Sequence, residues 1–222
     1  MKNVATENLP TLDAQLLERL LSKSNYHFDL VEGTVFNQAG VRVIYLSTDL
    51  IRGIYEAVHF EAGEAWSVIL KNCGYLWGKR IFDTLQKEVE LAISQPLGKL
   101  AVPSFVNLVE NYFAQYGWGK MTIHLQDAPQ YGIVRVTMTH SLFVSALTNL
   151  EECVDGMIAG MLRGLFERIS GQSLDCMEIA CARRDAEPCV FLISAPKRIS
   201  GIEHLVKDRV SSNDILAQLR QL

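Results

Sequence analysis

The sequence predicts an α+β fold in which helices pack on an antiparallel β-sheet. Residues with the period-two alternation of strands come in hairpin pairs: GTVFNQAGVRVIYLS, MTIHLQ with GIVRVTMT, and SLDCMEIACA with PCVFLISA. Segments of helical period lie between the pairs, the longest running from Glu64 to Ser94 before Pro96 stops it. With 222 residues, 49% of them hydrophobic, the chain is long enough to bury a sizeable core.

Each element has a local reason. Thr11 is placed to cap a helix from Leu12 to Ser22, with Leu12, Leu16, Leu17, Leu20 and Leu21 as its apolar stripe. The first hairpin turns at Asn37-Gln38-Ala39-Gly40. Ser47 or Thr48 caps the next helix, which runs through Leu50, Ile54, Tyr55 and Val58. Pro103 opens a helix that ends at Gly117-Trp118-Gly119. The second hairpin turns around Pro129-Gln130-Tyr131-Gly132. Ser141–Thr148 and Cys153–Ser170 read as helices, the latter closed by Gly171. After the last hairpin, residues 198–221 read as a polar helical tail. Without an internal repeat or a linker, the expected organisation is an N-terminal helical extension over 1–24, one domain over 25–195 and a helical tail over 196–222.

Composition excludes several classes. A net charge of -4 leaves no basic face for a nucleic-acid partner. Charged residues interrupt every apolar run before it reaches bilayer length, so no transmembrane segment is expected. The opening MKNVATENLPTLDAQ lacks the apolar core of a secretory signal. Five irregularly spaced cysteines do not make a disulfide framework, and a reducing, cytoplasmic compartment is expected.

The stretch EIACARRDAEPCVF concentrates the chemistry. Glu178, Cys181 and Cys189 lie on the last hairpin, and Cys153 opens the segment before it. Three thiols and a carboxylate suit a four-coordinate, structural zinc site. In a regular strand Glu178 and Cys181 point to opposite faces, so a bulge is needed to bring them together. Arg183 and Arg184 are available to offset the negative charge. The other readings of the same cysteines are small buried apolar residues, or a Cys181–Cys189 disulfide. Cys73 and Cys176 fit no ligand set.

In VDGMIAGMLRGLFERISG, Gly156, Gly160 and Gly164 fall on one helical face. Each costs about 1 kcal/mol of helix stability against alanine. Such a stripe marks a close approach, of another backbone or of a flat ligand, with packing of the helix on the sheet as the plainer expectation. Cys153, these glycines, Glu178, Cys181, Cys189 and Phe191 together resemble the V4R (4-vinyl reductase) domain. FEAGEAWSVILKNCGYLWGKR resembles that family's glycine-punctuated helix, and GVRVIYLS its early strand. The resemblance covers Asn25 to Ser194 and is most specific in the C-terminal half.

The resemblance implies a fold shared with the Bet3-type subunits of the TRAPP tethering complex, and a homodimer. In the sensor domains of phenol-responsive activators the matching residues bind zinc, which carries over onto Cys153, Glu178, Cys181 and Cys189. It also implies a hydrophobic small-molecule ligand, with a tetrapyrrole or its precursor as the leading class. Delivery, sensing or photosystem and pigment biogenesis would be the role, with photosystem-assembly proteins as partners and a location at most peripheral to photosynthetic membranes. A Bet3-like interaction scaffold and a component of a chlorophyll-precursor 4-vinyl reductase are the alternatives. No GxGxxG fingerprint for a hydride-carrying cofactor is present, so catalysis by the chain alone is not expected. Trp66, Trp77, Phe105, Tyr112 and Trp118 are candidate pocket walls, with His124 as a polar group; aromatics at this spacing also read as core.

Overall fold

The computed structural model of the chain describes residues 11–22, 25–150, 152–185 and 188–221. Positions 1–10 and 23–24 of the expected N-terminal extension lie outside the described residues. The chain divides into two compact units. One comprises the residues up to Ile44 with Asp83–Tyr112, the other Tyr45–Phe82 with the residues from Phe113 onward.

In the first unit, helix α1 (Ala14–Leu20) is capped by Asp13 rather than Thr11. The Asp13 carboxylate accepts from the Leu16 amide at 2.7 Å. The Leu12 amide, expected inside the helix, donates instead to Ser104 Oγ at 2.9 Å. Strands β1 (His27–Asp29), β2 (Thr34–Phe36) and β3 (Arg42–Val43) form an antiparallel sheet in sequence order. The β2–β3 turn falls at the expected residues. Asn37 Oδ1 accepts from the amides of Ala39 and Val41 at 3.1 and 2.9 Å, which closes the turn from its own side chain. Strand β1 was not expected, because three residues are too few to show alternation.

Helices α3 (Trp66–Ile93) and α4 (Val102–Gln115) contribute Leu85, Val89, Leu108 and Val109 to the buried residues of this unit. Among them lies a carboxyl group. Glu88 is 6% exposed, and its Oε1 accepts from Asn37 Nδ2 at 2.9 Å. Burial pushes its pKa up from 4.5 to about 7. The folded state therefore keeps a proton that the unfolded chain releases near pH 4.5. Stability should fall as pH rises from there to about 7, then level off. Glu88→Gln keeps the acceptor for Asn37 and removes the charge. Urea unfolding between pH 5 and 8 is expected to show a flattened profile, with the variant more stable than wild type above pH 7 by up to about 3 kcal/mol.

In the second unit, Ser47 caps α2 (Thr48–Ala62) by accepting from the Leu50 amide at 3.3 Å. The helix buries Ile51 and Tyr55, whereas Leu50 and Ile54 of the expected stripe are about half exposed. A one-turn 3₁₀ segment, Gly63–Ala65, leads into α3. Then follow β4 (Lys120–His124), the short α5 (Ala128–Tyr131), β5 (Val134–Thr139), α6 (Leu142–Ala146), α7 (Gly156–Ser170), β6 (Asp175–Ala180) and β7 (Cys189–Ser194). These strands make one antiparallel sheet in the order β4-β5-β7-β6. Helix α7 begins three residues later than the sequence suggests, so Cys153 lies before it rather than in its first turn. Gly171 closes it in the left-handed conformation, at φ 67°.

Every residue of β7 is buried, as befits a central strand covered on both faces. Val190 and Leu192 pack with Ile179 and with Ile199, Ile202, Leu205, Ile215, Leu216 and Leu219. Those last six residues come from the helices α8 (Pro196–Gly201), α9 (Glu203–Lys207) and α10 (Ser212–Leu219) and the residue between the first two. The segment read as a polar tail therefore covers one face of the sheet. Its helices are too short for their apolar residues to show a period.

Helices α3 and α7 meet backbone to backbone. A β-carbon added at Gly160 would run into the Lys71 carbonyl, and one at Gly164 into that of Tyr75. From the other side, Gly74 and Gly78 leave room for the carbonyls of Met157 and Met161. The stripe thus answers a matching stripe on α3. Gly156 differs, since its β-carbon would sit 3.6 Å from the nearest atom, the Ser67 carbonyl oxygen. Gly160→Ala should therefore destabilise the protein by about 1–3 kcal/mol, because a backbone carbonyl cannot move aside. Gly156→Ala should be neutral or slightly stabilising. Chemical denaturation of the two variants side by side checks both signs.

Candidate functional site

Strand β6 pairs with β7 regularly from Asp175 opposite Ser194 to Glu178 opposite Phe191, then slips so that Ala180 faces Val190. Two steps along β6 match one along β7, which is the bulge that the Glu178 to Cys181 spacing demands. Ile179 and Ala180 both pack toward the C-terminal helices. The slip leaves Glu178 and Cys181 free to share the other face.

There the donor atoms of Asp155, Glu178, Cys181 and Cys189 all lie within 4.8 Å of one another, and all four residues are buried. Three of the four residues singled out from sequence are thus brought together. The fourth, Cys153, is half-buried and outside that group, with its thiol in hydrogen-bonding reach of Cys181. Asp155 was missed. Its signal was weak: an aspartate at the N-cap position before Gly156 ordinarily means a helix cap. Cys73 is exposed and Cys176 buried, and neither belongs to the group.

The cluster is tied together by its own hydrogen bonds. The Asp155 amide donates to Glu178 Oε2 at 2.9 Å, and Ser141 Oγ donates to Asp155 Oδ1 at 2.5 Å. The Ala182 amide points at Cys189 Sγ at 3.2 Å, and the Cys181 amide donates to Asp185 Oδ2 at 3.1 Å. Two buried oxygens, Asp155 Oδ2 and Glu178 Oε1, accept no nitrogen or oxygen donor, and the thiols of Cys189 and Cys181 are the polar groups in reach of the two carboxylates. Burial pushes the Asp155 carboxyl up to about 7 and the Glu178 carboxyl well above its ordinary value. Hydrogen bonds from Cys153 and then Cys189 favour the thiolate of Cys181. Oxygen and sulfur donors that converge in a buried site, with no cationic side chain among them, fit a divalent cation.

The flanking arginines divide their work. Arg184 pairs with Asp185 at 2.9 Å, donates to the carbonyls of Ile179 and Val206, and acts electrostatically on Cys153. Arg183 reaches back to the carbonyls of Thr148 and Leu150, tying the hairpin loop to the segment that precedes α7.

Three of the six candidate ligand residues fall in one row of rings in the second unit. Trp66 lies 6.3 Å from Tyr55, Tyr55 4.9 Å from Phe143, Phe143 5.9 Å from Trp118, and Trp118 4.7 Å from Trp77, centroid to centroid. Phe113 adjoins Trp77 at 6.0 Å, and His59 flanks Trp66 at 5.4 Å. Tyr55 is 2% exposed and its hydroxyl has no hydrogen-bond partner. Burial, then Asp155 and Glu178, push its pKa up, so the hydroxyl is in electrostatic reach of the cluster. His124 is half-buried on β4 and shares a hydrogen bond with Thr137 Oγ1 at 3.1 Å. Phe105 and Tyr112 are buried in the other unit.

No family model and no curated protein matches the sequence. Solved structures do. The phenol-responsive sensory domain of the transcription activator PoxR, solved with phenol, superposes with a TM-score of 0.66 over 86% of this chain and 95% of its own, at 15% identity. A trafficking protein particle complex subunit 3 from Naegleria fowleri, covalently bound to palmitic acid, gives 0.48 over 66% of this chain and 93% of its own, at 14% identity. A vinyl-4-reductase family protein from Methanocaldococcus jannaschii gives 0.46 over 68% and 83%, at 18% identity. Among the described residues no helix is long and apolar enough to cross a membrane. The likeness is one of fold, and the α+β architecture expected from the sequence, helices packed with antiparallel sheet, is the architecture this chain has and shares with the sensory domain.

Proposed function

We propose that the chain is a non-catalytic binding protein for a hydrophobic, ring-bearing small molecule, built around a structural divalent metal. The observation that carries the ligand reading is the Tyr55 hydroxyl, buried among stacked rings with nothing to bond. Leaving such a group unpaired costs about 1–3 kcal/mol, and a bound polar atom would recover it. Apolar walls with one oriented polar group are the usual composition of a small-molecule site. Trp77 and Trp118 are half-buried, so this end of the row meets solvent. The phenol held by the sensory domain of like fold supports the class of ligand. A tetrapyrrole or its precursor is the class carried over from the sequence resemblance, with delivery or sensing in pigment biogenesis as the role.

Titration with a porphyrin, a bilin and phenol, followed by tryptophan fluorescence, tests this reading. Saturable quenching by at least one of them is expected, and Tyr55→Phe should weaken it about tenfold. Indifference to all three would sink it.

For the metal, Glu178, Cys181 and Cys189 supply donors in either set of ligands, and zinc is the ion the sequence resemblance favours. When bound, it would clasp the last hairpin to the segment leading into α7. Because binding couples to folding, chelation should lower stability by about 3 kcal/mol or more, and Cys181→Ser should abolish that chelator effect. Elemental analysis of gently purified protein that finds no metal would remove the clasp.

A second reading, an interaction scaffold or homodimer, is favoured by exposed apolar side chains on α2 and α3: Leu50, Ile54, Phe60, Val68, Ile69 and Leu76. Sedimentation of the pure protein separates self-association from recruitment of a different partner.

A further inference from the structure

Helix α2 carries a face that the second unit leaves uncovered. Ile51 and Tyr55 turn inward, and the opposite side follows Leu50, Gly53, Ala57 and Phe60, three, four and three residues apart along one line of the helix. Leu50 is 50% exposed and Phe60 83%, with Ile54 beside them at 44%. Gly53 and Ala57 form the floor between the two large side chains. A β-carbon at Gly53 would meet nothing within 4 Å, and the residue keeps a helical φ that alanine adopts equally well. Glycine weakens a helix interior relative to alanine, so its place here has no reason within the chain's own packing. In α3 and α7 the same residue type marks where another backbone closes in. Apolar side chains at either end of a shallow saddle suit a second helix laid across α2.

The rim decides what kind of helix fits. Asp49 and Glu56 flank the line on the Phe60 side and Glu61 flanks it on the Leu50 side, with Glu64 in the turn that follows. Glu56, Glu61 and Glu64 are exposed and make no ion pair among the described residues. Arg52, the one lysine or arginine of α2, is already engaged. Its Nη1 lies 3.5 Å from Asp49, and its Nε donates to the Ala146 carbonyl at 2.8 Å. A second copy docked by the same face about a two-fold axis would set acid against acid. Anionic lipid would be repelled for the same reason. We propose that the outer face of α2 docks an amphipathic helix of a partner protein, its apolar stripe seated over Gly53 between Leu50 and Phe60 and its lysine or arginine flanks against Glu56 and Glu61. This rests on the scaffold reading above and names its partner; it is independent of the ring ligand and of the metal.

Fluorescence anisotropy of a labelled amphipathic peptide of about 18 residues, leucine on one face and lysine on the other, tests the surface against a leucine–glutamate counterpart. Saturable binding of the lysine peptide is expected, at least about tenfold tighter than the glutamate peptide at low salt and weakening as salt rises. Phe60→Ser and Gly53→Leu should each weaken it about tenfold while circular dichroism stays unchanged, because both positions face outward. Glu56→Lys combined with Glu61→Lys should invert the preference between the peptides, which a loss of fold could not mimic. Equal affinity for the two peptides, no binding of either, or indifference to Phe60→Ser and Gly53→Leu would overturn the proposal. Sedimentation that finds a dimer which Phe60→Ser dissociates assigns the face to a second copy; it overturns this partner and leaves the reading of scaffold or homodimer standing. Flotation with phosphatidylserine vesicles that Phe60→Ser abolishes assigns the face to lipid and overturns both.

Discussion

The second unit is organised by the contact between α3 and α7, where Gly74 and Gly78 on one helix face Gly160 and Gly164 on the other. Helices usually keep 8–10 Å between axes because side chains stand between them. Removing the β-carbons at four positions lets each backbone sit in the other's groove. The cost is helix propensity, about 1 kcal/mol at each glycine. In return the relation of α7 to α3 is fixed without relying on flexible side chains. Flanking contacts reinforce the pair: the Arg163 guanidinium of α7 lies 4.5 Å over the Tyr75 ring of α3, and Asp175 on β6 pairs with Lys71 of α3 at 2.8 Å and with Arg163 at 3.9 Å.

That fixed helix determines where the chemistry falls. The residues just before α7 arrive at the face of β6 and β7 turned away from the C-terminal helices, and Asp155 delivers both its carboxylate and its amide there. The β6 bulge brings Cys181 back to the same face as Glu178. Helix α6 joins this cluster to the row of rings, since Ser141 at its N-cap bonds Asp155 and Phe143 in its first turn stacks on Tyr55. Burial of a ring and ordering of a carboxylate are thus adjacent events on one short helix. A change at Tyr55 has a short physical path to the cluster.

Much of this was legible from the residues. Period-two alternation gave all three hairpins, Gly171 closed α7 where expected, and the need for a bulge between Glu178 and Cys181 followed from strand geometry. The glycine stripe announced a close approach. Other features left no local trace. Strand β1 is too short to alternate, Asp13 and Thr11 are both competent caps, and the C-terminal helices carry apolar residues too sparsely to reveal a buried face. In α2 the choice of Ile51 over Leu50 and Ile54 as buried residue depends on which way the helix is rolled.

By itself, the sequence determined the fold class, the three hairpins and the principal helices between them, because alternation, helical period and chain punctuation are properties of neighbours along the chain. Only the tertiary structure decided that the glycines of α7 meet those of α3, that the supposed tail covers the sheet, and that the Asp155 carboxylate faces Glu178, Cys181 and Cys189 rather than a helix amide. Those outcomes depend on residues far apart in sequence being forced into one space, where sterics and burial, not local propensity, set which side chain goes inward.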